Sequence, residues 1–201
     1  MKKNNEKFSQ KILVSVYVRK WPFETMDEDI FPDERLFEIS DSNNEKVRGQ
    51  KYYSWKLLEY AMQKEFGLDM SDSGMKKISS KWCSSKCNFS ISHSNNIVAV
   101  AVSTHKVGID IEENKEDKFE RMADKILHPK ERLLPRPNLC KIWTDKEAIF
   151  KKSSKRHFIP QKINTIGESL YHNWLDEDGK NYSLSVATDF VDAVKLNVVK
   201  D

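Results

Sequence analysis

Branched and aromatic residues crowd Ile12-Leu13-Val14-Ser15-Val16-Tyr17-Val18, which predicts a first strand ended by Trp21-Pro22. Residues 26–44 mix charge with Pro32 and hold at most a short, loosely packed helix. From Glu45 the period changes. Val47, Trp55, Leu58, Met62 and Phe66 recur at three- and four-residue intervals, which predicts a long helix with Gly67 as its stop. Residues 71–81 are polar and read as a loop. Phe89-Ser90-Ile91-Ser92 and the apolar run 97–102 predict two strands joined through His93-Ser94-Asn95-Asn96.

Val107-Gly108-Ile109-Asp110-Ile111-Glu112 alternates strictly, so Val107, Ile109 and Ile111 face one side of a strand while Asp110 and Glu112 face the other. A helix follows through Phe119, Met122, Ala123, Ile126 and Leu127, broken by His128-Pro129. Pro129 starts a short helix carrying Glu131, and residues 140–152 form another. The tail reads as an antiparallel meander over residues 169–175, 182–187 and 193–199.

Two blocks recur at one separation of 93 residues: Val14 to Arg19 against Val107 to Glu112, and Phe89 to Ser92 against Tyr182 to Ser185. The expected architecture is α+β, with two pseudo-symmetric α/β halves, 1–104 and 105–201, carrying antiparallel sheets about a pseudo-twofold axis. The copies differ where chemistry matters. Tyr17 and Arg19 stand against Asp110 and Glu112, and Val186 against His93. One asymmetric site between the halves is therefore expected.

The 201 residues are 38% hydrophobic, enough to bury a real core. A charged fraction of 32% nearly cancels to +3, which argues against a dedicated nucleic-acid binder and makes any steering local. No apolar run is long enough for a bilayer, and Met1-Lys2-Lys3-Asn4-Asn5 leads into a strand pattern, so the expected location is cytoplasmic with no membrane partner. Cys83, Cys87 and Cys140 are an odd number, and Cys83 and Cys87 lack a matching second pair, so free buried thiols are expected rather than a disulfide framework or a zinc site.

Asp110 and Glu112, side by side on a strand, repel. A cation between them relieves this, and hard oxygens at that spacing suit Mg²⁺ or Mn²⁺; a solvated strand face is the open alternative. Glu147 and Lys151 lie one helical turn apart, and an exposed pair of that kind contributes only a few tenths of a kcal/mol, roughly. Trp143 and Phe150 share their face, which puts the pair at the rim of a buried surface. Packed across the Asp110 strand, that helix brings Glu147 up as a third carboxylate, with Lys146 and Lys151 as cations for a phosphate. His93 alone reads as a capping or core residue as readily as a ligand. The segment 141–162 holds seven basic residues against two acidic ones: a solvated face, or a surface for an acidic partner.

G-I-D-I-E, followed by W-x-x-K-E-A-x-x-K and preceded by F-S-I-S-H-S, resembles the 4′-phosphopantetheinyl transferase superfamily, of the two-half surfactin-synthetase-activator (Sfp) type. The likeness runs over roughly residues 81–160. It implies that fold and a monomeric holo-carrier-protein synthase, which moves 4′-phosphopantetheine from coenzyme A to a serine of an acidic acyl or peptidyl carrier protein. Adenosine 3′,5′-bisphosphate is the other product. By position it implies Asp110, Glu112 and Glu147 around Mg²⁺ (or Mn²⁺) and Glu147 and Lys151 as the catalytic pair. It also implies Ser92, His93, Ser94, Lys146, Lys151 and Lys81 on coenzyme A, and Glu131 near a metal-bound water. Arg48 and then Lys51 are the candidates for an N-terminal phosphate contact. The rivals are a Mg²⁺-dependent phosphodiesterase or nuclease and a degenerate module that only binds coenzyme A or the carrier.

Overall fold

The computed structural model describes residues 12–22, 31–78, 81–153 and 155–200. In chain order these form β1 (Val14–Lys20), α1 (Asp33–Ser40), α2 (Glu45–Phe66), β2 (Lys76–Ile78), β3 (Lys81–Cys83), β4 (Asn88–Ser94), β5 (Ile97–Ser103) and β6 (Val107–Glu113). Then come α3 (Glu116–Glu120), α4 (Ala123–Ile126), a 3-10 turn at Glu131–Leu133, α5 (Leu139–Lys152), a second turn at Pro160–Lys162, β7 (Leu170–Glu177), β8 (Lys180–Thr188) and β9 (Val194–Val199). Residues 26–30 of the polar stretch, Ser80 and Ser154 lie outside the described residues.

The sheets are ordered β4-β5-β1-β9 and β6-β8-β7, beside a small β2-β3 ribbon. Alternation splits β1 between two cores. Val14, Val16 and Val18 pack with Ile109, Ile111, Leu184 and Val186 between the sheets, whereas Tyr17 turns the other way onto Trp55, Leu58 and Met62 of α2. Helix α2 begins at Asn44, whose side chain accepts the Val47 N–H. It ends at Gly67 with φ 63°, where the Gly67 and Leu68 amides return to Gln63 and Met62 carbonyls. A third small core gathers Phe119, Ile126, Leu127, Cys140 and Ile142.

Four expectations change. The final strand leaves the meander: β9 pairs parallel with β1, Val14 opposite Val194, and sends Val194 and Leu196 into the inter-sheet core. The predicted helix after β6 is two short ones, α3 and α4, and the predicted loop 71–81 carries the β2-β3 ribbon. The repeated blocks do not fall on equivalent strands: Val14 to Arg19 sit on the interior strand β1 and Val107 to Glu112 on the edge strand β6, while Phe89 to Ser92 sit on the outer strand β4 and Tyr182 to Ser185 on the central strand β8. All three cysteines are free, Cys87 and Cys140 buried and Cys83 half-buried. Among the described residues, no helix is long and apolar enough to cross a membrane.

Candidate functional site

The site lies where the two large sheets meet edge to edge. Strand β4 presents serines at alternate positions toward β6. Ser90, Ser92 and Ser94 Oγ accept the Ile109, Ile111 and Glu113 amides at 3.1, 3.2 and 3.0 Å, so hydroxyls satisfy backbone donors that a further strand would otherwise pair. The seam also orients the acids. Ser92 Oγ donates to Asp110 Oδ1 at 2.7 Å, and Ser94 Oγ to Glu112 Oε2 at 3.4 Å.

Helix α5 closes on this seam because Gly108 has no side chain. A Cβ there would sit 2.0 Å from the Ala148 carbonyl oxygen and 2.5 Å from the Lys152 nitrogen. That contact seats the face of α5 bearing Glu147 and Lys151 over Asp110. Lys151 Nζ donates to Asp110 Oδ1 at 2.8 Å and to Ser92 Oγ at 3.1 Å, with Glu147 Oε2 at 3.9 Å. Lys118 reaches Glu112 Oε2 at 3.3 Å from α3. Burial, then the Asp110 charge, raises both the Glu112 and Glu147 carboxyls above their ordinary value, Glu147 up to about 7.

These carboxylates border a cleft of about 550 Å³ that extends along β4 to α1 and α2. His93 and Ser92 line it with Lys51, Lys81, Trp55 and Trp82. The desolvating walls and the Lys151 ammonium hold His93 below its ordinary value, which favours neutral imidazole. Lys51 Nζ donates to the Glu38 carbonyl at 2.7 Å, and Lys81 Nζ lies 5.0 Å from the centre of the Phe150 ring. Arg35 and Ser54 line the same end and carry no signal in the sequence. Arg35 donates to Glu38 Oε2 and to the Lys51 carbonyl, yet its Nε, like the Ser54 hydroxyl, is buried without a partner among the described residues. No apolar period runs through the segment holding Arg35, and Ser54 sits mid-helix.

Three expected contacts lie elsewhere. Arg48 lines a separate hollow with Trp21 and Tyr53. Lys146 is fully buried on the far side of α5, with Nζ 2.6 Å from Glu131 Oε2 and hydrogen-bonded to the Pro160 and Ile163 carbonyls. Glu131 also accepts the His128 amide and both the amide and hydroxyl of Thr165. Burial alone would raise the Glu131 carboxyl, but the Lys146 ammonium and these donors hold it below the usual range. The phosphate and metal-water roles expected of this pair therefore have no support in the geometry, because each side chain is satisfied inside the protein.

Among the described residues, no group of three or more His, Cys, Asp or Glu side chains stands close enough together to hold a metal ion. The remaining chemistry still suits a hard divalent ion. Three carboxylates share one cleft, and among the described residues Asp110 Oδ2 is buried without a partner while its Oδ1 is engaged.

Residues 106–184 match the family model described as ACPS, 4′-phosphopantetheinyl transferase superfamily. The matched segment holds Asp110, Glu112, Glu131, Lys146, Glu147 and Lys151, whereas Ser92, His93 and Ser94 precede it. No curated protein matches the chain.

Proposed function

We propose that this chain transfers 4′-phosphopantetheine from coenzyme A to a serine of an apo carrier protein. The observation that carries the reading is the meeting of Asp110, Glu112, Glu147 and Lys151 with the Ser92-His93 end of β4 in one cleft, inside and beside the family-matched segment. In this reading Asp110, Glu112 and Glu147 would hold Mg²⁺ or Mn²⁺, which supplies charge neutralisation for a pyrophosphate.

The carrier serine hydroxyl attacks the phosphorus bearing the pantetheine arm. The bond to the bridging oxygen breaks, and adenosine 3′,5′-bisphosphate leaves with the electron pair. Lys151 holds a non-bridging oxygen, giving up part of its hold on Asp110. Glu147 takes the serine proton; among the described residues its only polar contact is Lys151 at 3.9 Å, so its carboxylate has capacity to accept one. At the other end of the cleft Lys51 and Arg35, with His93 and Lys81 along its wall, receive the remaining phosphate, with the Arg35 Nε and Ser54 hydroxyl, which have no partner among the described residues, as donors. Trp55 and Trp82 flank it.

The groove running on from the cleft past Lys81 and Lys151 is lined by Lys106, Lys152, Lys155 and Arg156. It suits an acidic carrier, whose approach it would speed in a salt-sensitive way. Both sheets and both lines of side chains come from one chain. The reading therefore extends to a monomer with Sfp-type halves at 1–104 and 105–201, acting in the cytoplasm.

The test is incubation of the purified protein with coenzyme A, Mg²⁺ and apo carrier protein, followed by intact mass. A gain of one phosphopantetheine on the carrier is expected. No gain with any of several acyl and peptidyl carriers contradicts the proposal, and EDTA-sensitive cleavage of DNA or RNA in its place points to the phosphodiesterase.

A further inference from the structure

One cation at the rim of the carboxylates has no part in the chemistry above. Lys118 stands on α3, with Nζ 3.3 Å from Glu112 Oε2 and 4.8 Å from the centre of the Phe119 ring. Its side chain is 43% exposed. Lys151, on the other flank, is tied to both Asp110 and Ser92 and is the more buried of the two lysines. Three carboxylates that repel one another are thus neutralised by two ammonium groups, one firmly held and one on a single long salt bridge.

A half-exposed pair at that distance is weak, and a lysine stem can turn its head group through several ångströms. A divalent ion gathered by the same carboxylates carries twice the charge of the ammonium and repels it. Asp110 Oδ2, buried and without a partner among the described residues, is an oxygen that neither lysine satisfies. We infer that Lys118 is a resident counter-ion of the carboxylate cluster, which competes with a divalent cation for Glu112 and, once displaced, turns to the anionic substrate. Nothing in the W-x-x-K-E or G-I-D-I-E pattern marks this residue, and it rests on the reading of Asp110, Glu112 and Glu147 as divalent ligands.

Two affinities should move in opposite directions. Mn²⁺ binding to the protein without coenzyme A is measured from the paramagnetic resonance signal of the free ion. Lys118→Met is expected to bind Mn²⁺ about three- to tenfold more tightly than the parent, Lys118→Glu more tightly still, and Lys118→Arg about as the parent does. Coenzyme A binding at saturating Mn²⁺, by calorimetry, is expected to weaken from parent to Met to Glu. Lys115→Met is the control. Lys115 pairs with Glu113 at 2.7 Å on the same rim, and its loss should leave Mn²⁺ affinity unchanged.

Equal Mn²⁺ affinity in the parent and Lys118→Met overturns the inference, as does an equal gain in Lys115→Met. Absence of Mn²⁺ binding in every variant overturns the divalent reading beneath it, a different failure. Lys118 is a surface residue, so loss of folding does not obscure the comparison.

Discussion

Glu131 Oε2 lies 2.6 Å from Lys146 Nζ, and neither side chain is exposed to solvent. The pair ties the turn after α4 and the segment around Pro160 to the back of α5. Glu147, the neighbour of Lys146 in sequence, faces the cleft. Removing one partner strands a buried charge. Lys146→Met should cost about 3–5 kcal/mol in urea unfolding, and Lys146→Met with Glu131→Leu clearly less than the sum of the two single changes. A cost under about 1 kcal/mol for the single change, typical of a surface lysine, contradicts the assignment.

Gly108 sets how closely α5 approaches β6. Gly108→Ala places a Cβ against backbone atoms of Ala148 and Lys152, which have no flexible end to move aside. The change should destabilise the protein by about 1–3 kcal/mol and weaken divalent binding by lifting Glu147 and Lys151 from Asp110. Calorimetric melting and metal titration on the same sample check both. An alanine variant that melts and binds as the parent does would show that the helix is not seated by this contact.

Glu147 makes stability depend on pH. Its carboxyl is raised from 4.5 to about 7 by burial and by the Asp110 charge. The folded state therefore holds a proton that the unfolded state releases earlier. The associated stability is fully present below pH 4.5 and is lost as pH rises through about 7. In chelator-treated protein the parent should lose on the order of 2 kcal/mol more than Glu147→Gln across that window, measured by urea unfolding. Parallel curves for the two proteins contradict the raised value. Saturating divalent ion should abolish the difference, since it stabilises the charged carboxylate.

The strands β4, β6 and β8 and the helices α2 and α5 were legible because each carries apolar residues at two- or three-to-four-residue spacing, and β5 because it carries an unbroken apolar run. So was the side-by-side display of Asp110 and Glu112 on the face away from Ile109 and Ile111. What escaped was what no local window contains. Pairing of β9 with β1 joins residues about 180 positions apart, and alternation is the same for either strand direction. The burial of Lys146 depends on Glu131, fifteen residues upstream and across a turn. In the sequence, Lys146 and Lys151 look alike as cations beside Glu147, although they leave α5 on different sides. Gly108 reads as one more position of an alternating strand until the helix lying on it is seen. Arg35 belongs to a stretch without period, and only the fold brings it to the cleft.

The central claim is that Asp110, Glu112 and Glu147 serve one divalent ion at the bond being broken. Its most direct test is the initial rate of adenosine 3′,5′-bisphosphate release against Mg²⁺ concentration, with coenzyme A and apo carrier in excess. The account predicts saturable Mg²⁺ dependence in the parent, abolished by EDTA. It also predicts a loss of at least about 100-fold in Asp110→Asn and Glu147→Gln at any Mg²⁺ concentration, with the fold retained by circular dichroism. Release that is indifferent to Mg²⁺, or that survives both substitutions, would contradict it.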